Sequence, residues 1–144
     1  MSSWKECLEE NKARRVTIDR AKAKALIETA KERLKFLKND TSKDSNPNFL
    51  FEGCYTSLTE LLHALVLTEG WKVENHVCLG NYLRDISKRE DLFRAFDDCR
   101  YKRNGLVYYG KNMDFEVARD SVKKAAKLIE ELQRLLMEKH VVGD

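Results

Sequence analysis

Residues 114–136 read DFEVARDSVKKAAKLIEELQRLL. Phe115, Ala118, Val122, Ala125, Ile129, Leu132 and Leu136 recur in alternating steps of three and four. That spacing puts one apolar seam along about six turns of helix, broadened by Leu128 and Leu135. Asp114 stands where an N-cap belongs. A helix this regular must bury its seam against other helices, so the stretch predicts an all-α antiparallel up-and-down bundle of four to five helices.

Working outward, the rest of the chain supplies partners. Ala23, Leu26, Ile27, Ala30, Leu34 and Leu37 mark an amphipathic helix to about Lys38, with Thr17 as its expected cap. Phe49 to Trp71 is the most apolar segment and is expected at the centre of the bundle, ending near Glu69-Gly70. Lys72 to His76 reads as a short link. Val77 to Ile86 is a modest helix, and Leu92, Phe93 and Phe96 open another. Trp4, Cys7 and Leu8 share a side, which predicts a peripheral helix within residues 1–16. Asn39 to Pro47 is a polar connector, and residues 140–144 form a tail. The whole of residues 1–144 reads as one domain.

Composition narrows the function classes. The chain has 144 residues, 42% hydrophobic and 35% charged, with one proline and six glycines. Disorder and an all-β fold are both disfavoured by that balance. A net charge of +3 is too mild to indicate nucleic-acid binding by itself. No run reaches the ~18 apolar residues of a membrane span, and no apolar signal segment opens the chain. The expected location is cytoplasmic. Cys7, Cys54, Cys78 and Cys99 lack metal-type spacing and are expected to be reduced, mostly buried small hydrophobes. No metal or cofactor is expected. His63 is expected in a core or interface, His76 at a loop and His140 in the tail. No phosphate-binding glycine loop, nucleophile elbow or zinc-protease motif appears.

The chemistry concentrates in residues 99–111, CRYKRNGLVYYGK. Arg100, Lys102, Arg103 and Lys111 accompany Tyr101, Tyr108 and Tyr109 with no acid among them. Guanidinium groups beside phenol rings suit phosphate and base recognition. Asp97 and Asp98 lie just upstream, so an ordinary solvated face is the competing reading. On a continuing helix Tyr101, Asn104 and Tyr108 share a side, which leaves Tyr109 as the expected packing residue. Asn104 inside a helix implies a specific partner for its amide.

Arg103-Asn104, Leu106-Val107, an aromatic and then a long amphipathic helix resemble the HEPN domain family, small helical bundles with an R-x(4–6)-H motif. The tyrosine-bearing helix Tyr55 to Leu67, Gly70 and His76 agree loosely with the upstream part. The likeness spans roughly residues 17–139. It implies that Arg103 and Asn104 are the motif's arginine and polar residue, and that Tyr108 stands where active members carry histidine. Active members are metal-independent RNases, often toxins in toxin–antitoxin pairs; others bind nucleotides or partner a nucleotidyltransferase. The expectation is therefore a non-catalytic protein that binds nucleotide or RNA through Arg100, Lys102, Arg103, Asn104 and Tyr108. The rival is an RNase using Arg103 and Tyr108 as catalytic residues. A tyrosine near pKa ~10 is a poor base at neutral pH. A third reading is a protein-interaction bundle. A homodimer is expected, with two arginine sites facing across a two-fold axis.

Overall fold

The computed structural model describes residues 2–39 and 46–139. The interior of the expected polar connector (residues 40–45) and the expected tail (140–144, with His140) lie outside the described residues. In chain order the elements are α1 (Trp4–Glu9), β1 (Ala13–Arg15), α2 (Arg20–Asn39), α3 (Pro47–Thr68), β2 (Trp71–Val73), α4 (His76–Asp85), α5 (Glu90–Tyr109) and α6 (Phe115–Glu138). The molecule is predominantly helical, with six described helices rather than four or five and one two-stranded sheet.

Helix α3 organises the rest. Phe51, Tyr55, Leu58, Leu62 and Leu65 are all buried, and the helix packs against α2, α4, α5, α6 and β2. Helix α2 runs antiparallel to α3, with Leu37 against Gly53 near the start of α3 and Lys22 and Leu26 beside His63 and Leu67 near its end. The Ser57 hydroxyl donates to the Ala30 carbonyl at 3.2 Å, and Arg33 donates to Ser57 and forms an ion pair with Glu60. Helix α6 runs in the same direction as α3. Asn48 holds Met113 at one end, and Lys139 meets Glu69 at 3.2 Å at the other. Helix α5 returns antiparallel to α6, with Arg89 3.8 Å from Glu131 and Lys124 beside Asp98. The four long helices thus alternate in direction. In α6 the seam is buried from Ala118 to Leu136, whereas Phe115 and Val122 are not fully covered.

The N-terminal region departs from expectation. The expected peripheral helix does not run through residues 2–16. Helix α1 is six residues long, and Trp4 and Cys7 are buried. Asn11 adopts φ +58°, a left-handed conformation that asparagine tolerates better than most residues and that a helix cannot contain. The chain then enters β1, which pairs antiparallel with β2 in the register Ala13↔Val73, Arg14↔Lys72 and Arg15↔Trp71. The expected link at 72–76 is therefore part strand. Helix α3 stops at Thr68 because Gly70 takes φ +86°, which turns the chain into β2. Trp4 packs edge-on against Trp71 and Tyr82, each at 5.2 Å.

Two further expectations are corrected. Asp19, not Thr17, caps α2, its carboxylate accepting from the Lys22 N–H at 2.9 Å. The cysteines are not all reduced. Cys7 and Cys78, 71 residues apart, form a disulfide, while Cys54 and Cys99 are free and buried. Pairing depends on Cα separation in space (6.1 Å here), which spacing along the chain does not encode. No described helix is long and apolar enough to cross a membrane.

Candidate functional site

On α5, Phe96, Cys99 and Arg103 follow one another at helical steps and share a face. Phe96 and Cys99 are buried, so the face enters the core and Arg103 stands at its rim, half-buried. Desolvation pushes the Cys99 thiol up to about 12, leaving it protonated and inert. Tyr55 comes in from α3. Its ring stacks on Phe96 at 5.9 Å with an interplanar angle of 6°. The Arg103 guanidinium carbon lies 5.5 Å from the Tyr55 ring centre and 5.6 Å from that of Tyr108. Both rings are thus within cation–π reach of the guanidinium, which attracts it electrostatically. Among the described residues no carboxylate pairs with Arg103.

Beyond Tyr55 lies His76, the first residue of α4. The preceding Asn75 caps that helix, its side chain accepting from the Cys78 N–H at 2.8 Å. The Tyr55 hydroxyl and His76 Nδ1 are 2.8 Å apart. Burial first, and the nearby Arg103 charge second, hold His76 below the usual histidine range. Its imidazole is therefore neutral at neutral pH. Burial raises the Tyr55 phenol above its usual value, with Arg103 and Arg100 partly opposing, so it stays protonated. If Tyr55 donates to Nδ1, Nε2 carries the ring proton. In the other tautomer Nδ1 donates to the phenol oxygen and Nε2 is the acceptor a base requires.

The other expected site residues separate. Arg100 pairs with Asp97 at 3.0 Å and Lys102 with Asp98 at 2.9 Å, so the upstream acids neutralise both. Both side chains are half-buried along α5. Asn104 lines a cleft at the α5–α6 turn with Tyr101, Tyr109 and Lys111, which Arg103 does not line. Its amide has no hydrogen-bond partner among the described residues, contrary to expectation. Tyr109 is 79% exposed, again contrary to expectation; at this site the buried tyrosine is Tyr55, from α3. Helix α5 persists through the motif and ends where Gly110 takes φ +59°. No group of metal-ligating side chains occurs among the described residues.

Tyr55 and His76 are the members that motif reading did not place at the site. A tyrosine within the most apolar helix was the available signal, because a buried phenol needs a partner. No protein-family model matches the chain, and neither a curated protein nor a solved structure matches it at a significant level.

Proposed function

We propose that this is a HEPN-like protein that binds the phosphate of a nucleotide or of RNA at Arg103, flanked by Tyr55, Tyr108 and His76, without turning it over. One observation carries the reading: a half-buried guanidinium lacks a described carboxylate partner yet lies within cation–π reach of two rings. Orienting a cation while leaving its donors unspent suits an incoming anion. Tyr108 is exposed and available to stack on a base. Arg100 and Lys102 add little, since Asp97 and Asp98 already compensate them. Asn104 drops out of the proposed contact set. A nucleotidyltransferase chain remains the partner suggested by the resemblance.

The test is salt-dependent binding of labelled RNA and nucleotides in excess chelator. Arg103→Ala should weaken affinity by roughly tenfold to a hundredfold, the worth of a charge-assisted hydrogen bond. Lys102→Ala should weaken it far less. If neither ligand binds at moderate salt while an acidic protein does, the interaction reading replaces this one.

One observation favours the RNase reading as a second. His76, neutral and coupled to Arg103, offers the proton acceptor that Tyr108 does not. The imidazole would take the ribose 2′-hydroxyl proton as that oxygen bonds to phosphorus; the bond to the 5′-oxygen breaks, that oxygen takes a proton from water, a 2′,3′-cyclic phosphate remains, and Arg103 stabilises the charge. Metal-free cleavage abolished by both His76→Gln and Arg103→Ala would establish it. Binding without cleavage would leave the first reading standing.

A further inference from the structure

A different face of α3 carries a second feature. Cys54 and Tyr55 are consecutive on the helix and so point about 100° apart. Tyr55 faces the Arg103 cluster, and Cys54 lines a groove of about 590 Å³ between α2 and α6. A closed four-helix bundle would have these two helices touching; here α3 forms the floor between them. Leu34, Leu37, Leu50 and Val122 are only half-buried along the groove. An apolar strip of this kind on a charged molecule marks an interaction site.

The charges on the rim indicate what fits. Lys35 and Lys38 stand on the α2 wall, Glu130 and Gln133 on the α6 wall, with Ala126 between Val122 and Glu130. Among the described residues neither lysine pairs with an acid and Glu130 pairs with no base. A surface with opposite charges on its two walls is complementary to itself after a half-turn.

We propose that a second copy of this chain docks here, its α6 lying in the groove antiparallel to the first α6, about a two-fold axis at Ala126. Helix α6 runs antiparallel to α2, so the half-turn aligns the incoming α6 with α2. Glu130 of the partner subunit then moves to the Val122 side of Ala126. That is the end where Lys35 and Lys38 stand, near the start of α3, because Leu37 packs on Gly53. The symmetric contact forms at the same time. The small side chain of Ala126 lets two helix backbones approach to the ~8–10 Å of ordinary helix packing. The Arg103 sites stay outside this interface, so the dimer differs from one built by facing arginines and is independent of the proposed ligand.

Sedimentation equilibrium of the full chain tests it. Wild type should dimerise at micromolar concentration. Glu130→Lys, and separately Lys35→Glu with Lys38→Glu, should each weaken the dimer about tenfold or more, and combining all three should restore it. Ala126→Cys should oxidise to a covalent dimer, whereas Thr56→Cys, exposed away from the groove, should not. Arg103→Ala should leave the dimer unchanged. A wild type that stays monomeric at several hundred micromolar, single charge reversals without effect, or equal cross-linking at positions 56 and 126 would each overturn the proposal.

Discussion

The hydrogen bond between Tyr55 and His76 joins residues 21 apart in sequence and ties the centre of α3 to the first turn of α4. Its consequences are readable through pH. His76 is held below the ordinary histidine range in the folded chain, and so is His63, chiefly by burial. The unfolded chain therefore takes up protons first as pH falls through about 6.5, and it binds more protons than the folded chain in that window. Stability should be level above that pH and decline below it. His76→Gln should flatten part of the decline, with His63 supplying the rest, as measured by urea midpoints from about pH 8 to about pH 5. Identical profiles for wild type and variant would show that His76 is solvated. Tyr55→Phe, which removes only the hydroxyl, should cost about 1 kcal/mol. At this scale the sequence announced Arg103, because cations and tyrosines cluster around it. It also announced the acids that neutralise Arg100 and Lys102, three and four residues upstream. It did not announce Tyr55 or His76, whose meeting with Arg103 depends on how three helices stack.

Among the elements, α1 shows what covalent and polar fastening can do for a short helix. Six residues cannot form a stable helix in water. Here Cys7 is bonded to Cys78, the Trp4 N–H donates to Asp85 at 2.8 Å, and the Asn81 amide donates to Ser2 at 2.8 Å. The neighbouring Arg84 holds the Asp85 carboxyl below its usual range, so that contact persists until strongly acidic pH. Opening the disulfide by reduction, or by Cys7→Ser, should lower stability by about 2–4 kcal/mol. That corresponds to a fall of roughly 10 °C in Tm by calorimetry. Cys78 lies two residues from His76, so reduced protein should also show faster amide exchange in the first turn of α4. An unchanged Tm would mean that the polar contacts alone secure α1. The long helices were legible because each repeats its apolar residues at helical spacing over many turns. The strands were not, since three-residue segments such as Ala13–Arg15 and Trp71–Val73 carry no periodicity and exist only through each other.

At the level of the molecule, α3 contributes to two surfaces: Tyr55, His76 and Arg103 at one face, the α2–α6 groove at a different one. The up-and-down arrangement of the long helices was readable from their apolar seams. The gap between α2 and α6 was not, because periodicity shows that a face is apolar without showing which neighbour meets it. What sets the two halves in register at one end is Asn48, a buried polar residue in the first turn of α3. Its side-chain amide donates to the Met113 carbonyl at 3.1 Å, and its carbonyl oxygen accepts the Met113 N–H at 2.8 Å. These two bonds fasten the start of α3 to the turn between α5 and α6, next to Lys111 and the Asn104 cleft. Asn48→Ala would leave both Met113 backbone groups without their partner, a cost of about 2–3 kcal/mol. Asn48→Asp would keep the acceptor, lose the donor and bury a charge, so it should be at least as damaging. Thermal unfolding should show both variants at lower Tm, and hydrogen exchange should show residues 110–114 opening faster while α2 keeps its protection. If exchange rose uniformly across the chain instead, the loss would be global, and Asn48 would be an ordinary core residue rather than the fastening of that turn.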